Sequence, residues 1–286
     1  MCSAFLGFPG RNDEIITMSG QDKIQASENW YERRDEAGSP NTPGDVLEKL
    51  ATDEDWYVRY TVAGNQSTPT EVLDRLAGDK YLDVRQGVAE NPSAPAEVLN
   101  RLAGDWDWHV RGGVAKNRSA PAEVLDRLAG DDNWGVRWEV AKNPHSTAGA
   151  LNKLAGDEFS DIHRAVARNT SAPGDALEKM ATDKNWLVRY AVAENPSTPA
   201  GVLDRLATYG DRNIRCAVAG NTNATKPILL RSSRDHSPNV REAVARNPKI
   251  PPEAANSLSL SKVSHIRQAL LENPAVPEHI RVGLSL

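Results

Sequence analysis

The sequence predicts an all-α fold, a superhelical solenoid of about nine to ten repeats that each hold two short helices. Three observations lead to this prediction. The sequence repeats with a period of 26 residues, apolar residues within each repeat recur at helical spacing, and no segment alternates apolar and polar residues as a strand would. One such unit is too small to enclose a core, so neighbouring units must stack to bury their apolar stripes.

The period is clearest in one arginine column and one asparagine column. His163 is the one member of the first column that is not arginine. An asparagine follows each member of this column after six residues, and no insertion disturbs the spacing. The arginine column is Arg59, Arg85, Arg111, Arg137, His163, Arg189, Arg215, Arg241 and Arg267, and the asparagine column is Asn65, Asn91, Asn117, Asn143, Asn169, Asn195, Asn221, Asn247 and Asn273.

The period divides the chain into four segments. The first lies outside the pattern, and we expect it to be flexible; the sequence leaves open whether translation starts at Met1 or Met18. The second resembles half a repeat, with Glu32 and Glu36 in columns that are apolar elsewhere, as expected of a cap that faces water. The third holds nine full repeats, and the fourth begins one more. These segments are 1–27, 28–42, 43–276 and 277–286.

The first half of each repeat predicts a short helix. In the repeat 43–68, apolar residues at i, i+1, i+4 and i+5 from Val46 onward fall on one helical stripe. Pro43 precedes them, where the first turn of a helix tolerates proline. The opposite side pairs an acid with a base four residues later, as in Asp45 and Lys49, which is typical of a solvated helix face.

The second half of each repeat predicts another helix, from Trp56 to Gly64 in the same repeat. Val58 and Val62 lie on its buried stripe. We expect Asn65 to end it in the left-handed conformation that asparagine tolerates, and proline follows the asparagine column in five repeats.

The arginine column begins on the buried side of this second helix. A buried guanidinium needs a partner, because an unpaired charge there costs several kcal/mol. An acid stands six residues before seven of the nine column positions; Tyr209 and Ser261 replace it in the other two. We therefore predict a ladder of Arg–Asp pairs, in which each arginine bridges a turn of its own repeat or of the next. The alternative, a row of arginines that binds a phosphate backbone, remains open.

Two further expectations concern the same columns. We interpret the asparagines as partners of backbone groups in the turns, again in register along the stack. His163 predicts a soft spot in the ladder, because imidazole cannot form the bidentate pair that arginine forms with a carboxylate.

The repeat D-x-x-W-x-V-R-x-x-V-A-x-N-P-x-x-P-x-x-V-L-x-x-L-A-x-D resembles the leucine-rich repeat variant (LRV) family. The resemblance covers about residues 28–286 and implies a right-handed solenoid of alternating α- and 3₁₀-helices. The D-x5-R element is also similar to HEAT repeats, whose units are longer. An iron–sulfur domain that precedes the repeats in this family is not expected here, because Cys2 is the one cysteine in that part of the chain.

Composition excludes several classes of protein. The 34 Lys+Arg and 39 Asp+Glu give a net charge of −5, which argues against general binding of nucleic acid but permits a local basic patch. Cys2 and Cys216 are too few for a disulfide framework, a four-cysteine zinc site or an iron–sulfur cluster. No stretch approaches the ~18 apolar residues of a membrane helix, and Met1–Gly10 lacks the basic flank and apolar length of a secretion signal. We therefore expect a cytoplasmic protein with no membrane partner, metal or cofactor.

A candidate binding site lies in the columns that change most between repeats. The columns of Tyr57, Tyr60 and Gly64 share one side of the second helix, because they are three, four and seven residues apart. Between the third and sixth repeats they combine cations with aromatic side chains, a composition typical of sites that stack on and neutralise an anionic partner. The candidate binding residues are His109, Lys116, Trp138, Lys142, Arg164, Arg168 and Tyr190.

Trp138 is the most informative of these residues, because a tryptophan in an outward column buries little surface unless a partner covers it. The alternative is a chance run of surface charge that Glu139 and Asp161 balance. A second tryptophan column recurs along the stack, and we interpret it as packing between repeats. Its members are Trp56, Trp108, Trp134 and Trp186.

Catalysis finds little support in the sequence. The six histidines are scattered, and neither a G-x-S-x-G element nor a glycine-rich phosphate loop occurs. The leading hypothesis is a non-catalytic repeat scaffold that binds another protein. The alternatives are binding of nucleic acid or another polyanion through the central patch, and a helical-repeat enzyme such as a DNA glycosylase or a pigment lyase. The oligomeric state remains open.

Overall fold

The computed structural model describes residues 29–285 as a stack of short helices joined by tight turns. This part of the chain holds twenty α-helices and no strand, so the predicted all-α solenoid is confirmed. The predicted flexible segment, 1–27, lies outside the described residues. One helix lies in the predicted N-terminal cap and one in the C-terminal half-repeat.

Long and short helices alternate along the chain. The long helices have nine residues, and the short ones have seven, or eight in the last two. The long helices are α1 (Trp30–Gly38), α3 (Trp56–Gly64), α5 (Leu82–Glu90), α7 (Trp108–Lys116), α9 (Trp134–Lys142), α11 (Ser160–Arg168), α13 (Trp186–Glu194), α15 (Arg212–Gly220), α17 (Pro238–Arg246) and α19 (Ser264–Glu272). The short helices are α2 (Gly44–Leu50), α4 (Thr70–Leu76), α6 (Ala96–Leu102), α8 (Ala122–Leu128), α10 (Ala148–Leu154), α12 (Gly174–Met180), α14 (Ala200–Leu206), α16 (Lys226–Ser232), α18 (Pro252–Ser259) and α20 (Glu278–Ser285).

The short helices are α-helices, which corrects the 3₁₀ conformation implied by the family resemblance. In α2 the amide of Leu47 donates to the carbonyl of Pro43 at 3.0 Å, and the amide of Ala51 donates to Leu47 at 2.9 Å. Bonds of the tighter i→i+3 type occur at its ends, as from Asp53 to Leu50 at 3.1 Å. Seven residues allow two α-helical turns, and the tighter bonds close the remaining end groups.

Both kinds of helix bury one apolar stripe in a single continuous core. Val58 and Val62 of a long helix and Leu47 of the preceding short helix are fully buried, and their counterparts in the other repeats behave alike. Neighbouring long helices pack along their length, whereas successive short helices touch at few points. The outward side chains of the long helices line one shared face, which we call the long-helix face.

The predicted arginine ladder is present, and it links successive repeats. Nε and Nη2 of Arg59 donate to the two carboxylate oxygens of Asp79 in the next repeat, at 2.6 and 3.1 Å. Nη1 donates to the carbonyls of Asp53 and Glu54 in its own repeat, at 2.7 and 3.1 Å. Arg59 thus bridges both turns that the sequence left as alternatives. The bidentate pairs are Arg33–Asp53, Arg59–Asp79, Arg85–Asp105, Arg111–Asp131, Arg137–Asp157 and Arg215–Asp235.

The ladder is interrupted where the sequence changes. His163 contacts the Asp183 carboxylate through Nδ1 and the Asp157 carbonyl through Nε2, both at 2.7 Å. Arg189 faces the ring of Tyr209 at 5.3 Å, and its buried Nε has no hydrogen-bond partner. These substitutions leave fewer charge-assisted bonds between the affected repeats.

The asparagine column forms a second ladder, with a backbone conformation that differs from the prediction. Asn65 has φ −74° and ψ 125°, so the expected left-handed conformation is wrong. The extended backbone lets its side-chain amide donate to the carbonyls of Ala37 and Ser39 in the preceding repeat, at 2.7 and 2.9 Å. Its Oδ1 accepts from the amide of Ser67 at 2.9 Å. The predicted role as a partner of turn backbone groups is confirmed.

Candidate binding site

Two adjoining clefts open on the long-helix face near the middle of the stack, and Trp138 lines both. The first, of about 430 Å³, lies over α7 and is bounded by α5 and α9. The second, of about 300 Å³, lies between α9 and α11. The first contains His109, Lys116 and Trp138 of the candidate residues, and the second contains Trp138 with Lys142, Arg164 and Arg168.

Missing side chains create the first cleft. Gly112 occupies a column that holds Gln86 one repeat earlier and Trp138 one repeat later. A Cβ at Gly112 would have no heavy atom within 4 Å, so this glycine faces open space. Gly113 plays a different part, because a Cβ there would approach that of Ala89 to 3.0 Å. It permits α5 and α7 to pack closely, whereas Gly112 leaves the space between Trp138 and α7 empty.

Tryptophans of the second column form the walls of this cleft. Trp108 is 42% exposed and Trp134 is 52% exposed. Both also contact the next repeat, as the predicted packing between repeats requires: the Trp108 ring lies beside Gly135, and the rings of Trp134 and Phe159 have centroids 6.2 Å apart. Trp108 stacks on the ring of His109, with centroids 3.7 Å apart, and His109 Nδ1 lies 2.9 Å from the Asp107 carboxylate.

Trp138 separates the two clefts and is half-buried rather than fully outward. It packs partly against the core, and Nζ of Lys142 lies 3.8 Å from its ring centroid. A lysine ammonium at this distance is attracted by the face of the indole. The indole is therefore held both by packing against the core and by the Lys142 ammonium.

Acidic neighbours neutralise most cations of the site. Lys116 lies 3.6 Å from Glu90, Lys142 lies 3.2 Å from Glu139, and Arg164 lies 2.9 Å from Asp161. Arg168 is exposed and has no ion-pair partner among residues 29–285. The first cleft is thus close to neutral, and the second has one uncompensated positive charge.

Tyr190 lies outside the residues that line either cleft. Its ring packs partly against the core and meets that of Trp186 edge to face, with centroids 6.3 Å apart. A hydrogen bond with Glu194, together with burial, raises the pKa of Tyr190 to about 12. The phenol is therefore neutral at physiological pH.

Other chemical features are sparse in the described chain. Among residues 29–285, no three His, Cys, Asp or Glu side chains come together in a way that could hold a metal ion. Burial raises the pKa of the half-buried Cys216 thiol, which makes it a poor nucleophile. No helix in this part of the chain has the length and apolar character needed to cross a membrane.

Sequence reasoning missed the residues that shape the first cleft. It assigned Trp108 and Trp134 to packing and gave no role to Gly112. The signal in the sequence was Gly112, which stands between Gln86 and Trp138 in a column where both neighbours have long side chains.

The fold defines the chain as a helical-repeat solenoid, in which stacked units build one extended surface. Residues 82–107, one repeat in length, match the sequence profile of the family described as Leucine rich repeat variant. The solved structure of a leucine-rich repeat variant with a novel repetitive protein structural motif is 27% identical, with a TM-score of 0.56. That match covers 77% of this chain and 87% of the other. Together, these findings confirm the resemblance to the LRV repeat.

Two further solved structures match at lower scores. One is an engineered protein, 18% identical, with a TM-score of 0.35 and coverage of 94% of this chain and 92% of the other. The second is the Pds5–Scc1 complex, 13% identical, with a TM-score of 0.35 and coverage of 93% and 56%. No curated protein sequence matches the chain.

Proposed function

We propose that this protein is a non-catalytic scaffold that binds another protein on its long-helix face, at the clefts on either side of Trp138. One observation carries the proposal: the recurring arginines and asparagines are used inside the stack, whereas Gly112, Trp138 and Arg168 at the clefts lie in columns that vary between repeats. In a solenoid, residues that are not needed for stacking between repeats can vary, and they determine which partner binds. Exposed tryptophans beside a cleft are typical centres of protein interfaces. The cytoplasmic location remains a prediction from the sequence.

The charges favour a protein over a polyanion. A nucleic-acid backbone is bound by several cations that each neutralise a phosphate. Three of the four cations in the clefts already have acidic partners, which leaves Arg168 with an uncompensated charge. Apolar contact with the tryptophans must therefore supply most of the affinity, as it does in the centre of a protein interface.

The test begins with the purified chain immobilised as bait, with and without nuclease, and continues with the captured partner in purified form. We expect nuclease-resistant capture, followed by direct binding that Trp138→Ala weakens by about 2 kcal/mol or more, a loss of roughly thirtyfold. Lys153→Ala is the matched control, because Lys153 is exposed on the short helix α10.

Two outcomes would reject this proposal. Release of the partner by nuclease would favour the polyanion alternative. Equal binding by the wild type, Trp138→Ala and Arg168→Ala, with folding intact, would remove the clefts as the binding site.

A further inference from the structure

We infer that the two clefts read a short extended segment of the partner, with an aromatic side chain in the first and a carboxylate three residues away in the second. This inference rests on the proposed function and specifies the chemistry of its partner. It commits to one kind of occupant, a peptide with a single aromatic residue and an acid at fixed spacing.

The first cleft fits a flat, uncharged ring. Trp108, Trp134 and Trp138 supply the walls, and Gly112 leaves the space beside them unfilled. Aromatic rings favour offset or edge-to-face contact with such walls. A cationic side chain would need a free acid, and both acids at this cleft have partners.

Those acids are satisfied by neighbouring side chains. Glu90 lies 3.6 Å from Lys116 and accepts from Gln86 at 3.1 Å. Glu139 lies 3.2 Å from Lys142. An incoming cation would have to displace an existing ion pair, whereas an aromatic ring leaves both pairs intact.

The second cleft fits a carboxylate. Arg168 is exposed and lacks an acidic partner, and its guanidinium can donate two parallel hydrogen bonds to a carboxylate. Asp161 lies 2.9 Å from Arg164, so Arg164 adds little net charge to this cleft. Ala165 and Trp138 also line this cleft and give it an apolar surface.

The spacing follows from the repeat. Helices that pack side by side are separated by ~8–10 Å. A polyproline II segment rises ~3.1 Å per residue and returns to the same side every three residues, a step of ~9 Å. An aromatic residue and an acid three positions apart in such a segment therefore fall about one repeat apart, which suits two clefts that adjoin at Trp138.

The experiment measures fluorescence anisotropy of a labelled peptide, Asp-Ser-Pro-Trp-Ser-Pro-Asp within a Gly/Ser frame, titrated with the full chain. Acids on both sides of the tryptophan allow either chain direction. We expect saturable binding that falls at least tenfold when the peptide tryptophan becomes alanine. Replacing both aspartates by asparagine lowers affinity by a smaller factor, about threefold to tenfold.

Gly112→Gln is the decisive variant of the protein. It fills the first cleft with the residue found at Gln86 in the same column, and its Cβ meets no heavy atom within 4 Å. We expect at least a tenfold loss of peptide affinity with an unfolding midpoint that stays the same or rises, because glycine inside a helix is unfavourable. Gly201→Gln in α14 is the matched control, since a Cβ there also meets open space.

Arg168→Gln tests the second cleft separately. We expect it to weaken the aspartate peptide to the affinity of the asparagine peptide and to leave the asparagine peptide unchanged. A variant that weakens both peptides equally would contradict the pairing of Arg168 with the carboxylate.

The remaining outcomes separate this inference from the proposed function. Absence of peptide binding at millimolar protein, or equal binding by Gly112→Gln, overturns the inference. If a purified partner loses affinity with Trp138→Ala but the peptide does not compete with it, the inference fails while the proposed function stands. If the purified partner binds Trp138→Ala as tightly as the wild type, both the inference and the proposed function fail.

Discussion

At the scale of single residues, a buried arginine or asparagine in this chain serves two repeats at once. Arg137 donates to both carboxylate oxygens of Asp157 and to the carbonyl of Asp131, at distances of 2.6 to 3.2 Å. Side-chain hydrogen bonds of this kind link successive repeats, as backbone hydrogen bonds link the strands of a β-sheet. Removal of such a residue therefore leaves unsatisfied groups in two repeats.

Arg137→Ala should lower the free energy of unfolding by about 2–4 kcal/mol, because it leaves the largely buried Asp157 carboxylate without its cation. Urea unfolding followed by circular dichroism measures the change. Arg101→Ala is the control, since its ion pair with Asp74 is more than half exposed and contributes ~0–1 kcal/mol. Similar losses for both variants would show that the ladder contributes no more than surface charge.

Asn143→Asp should destabilise the chain more than Asn143→Ala. The side-chain amide donates to the carbonyls of Ala115 and Asn117 at 2.8 and 3.0 Å. Alanine leaves these carbonyls unbonded, at about 1–3 kcal/mol, whereas aspartate also brings a buried negative charge toward two carbonyl oxygens. Unfolding at pH 7 measures both variants, and a more stable aspartate variant would contradict the assigned donor role.

At the scale of helices and their junctions, stability should vary with the completeness of the ladder. Arg241 has no carboxylate in the next repeat, because Ser261 stands in the aspartate column. Ser261 retains one part of the usual role, since its hydroxyl accepts from the amide of Val263 at 3.2 Å. An aspartate at this position would keep that contact and add a partner for Arg241.

Ser261→Asp should therefore raise the free energy of unfolding by about 1–2 kcal/mol through a new charge-assisted pair. Ser261→Asn is the control, because it keeps the amide contact without the charge. The gain should disappear in an Arg241→Ala background. If Ser261→Asp still raised the free energy of unfolding in that background, the effect would come from the turn around residue 261 and not from an ion pair with Arg241.

The junction at His163 should be the local soft spot that the sequence predicts. The imidazole makes one contact with Asp183 and one with a carbonyl, where arginine elsewhere makes two with the carboxylate. We expect amides of α11 to exchange hydrogen faster than those of α9, and His163→Arg to slow them. Exchange that is no faster in α11 would contradict this prediction.

At the scale of the whole molecule, the sequence predicts the solenoid fold well and the binding site only in part. A strict period predicts stacking directly, because each column has one environment in every repeat. The partner of Arg59 is Asp79, which is 20 residues later, and the period alone does not distinguish it from Asp53. The first cleft arises at Gly112, where one repeat departs from the others. The repeat pattern describes what all repeats share and leaves out such single departures. The cleft could therefore be recognised only from the three-dimensional structure.

Acid should unfold the stack through its carboxylates. Burial alone would raise the pKa of Asp79, but hydrogen bonds from Arg59 and from the amide of Tyr81 outweigh it and hold the pKa below its usual value. The pKa values of three further ladder carboxylates are lowered by the same opposition of burial and arginine bonding. These are Asp131, Asp157 and Asp235.

A lowered pKa in the folded state means that the unfolded chain binds protons first. The contribution of these carboxylates is therefore complete well above the unfolded pKa of ~3.9 and is lost as pH falls through the lower folded values. We expect the free energy of unfolding to decrease steeply below about pH 4. Urea titrations at constant ionic strength between pH 7 and pH 2.5 measure it. Asp157→Asn should reduce stability at pH 7 and flatten the decrease, because one titrating link is gone. Equal stability at pH 5 and pH 3, or an identical slope in Asp157→Asn, would show that the ladder is not what couples the stack to pH.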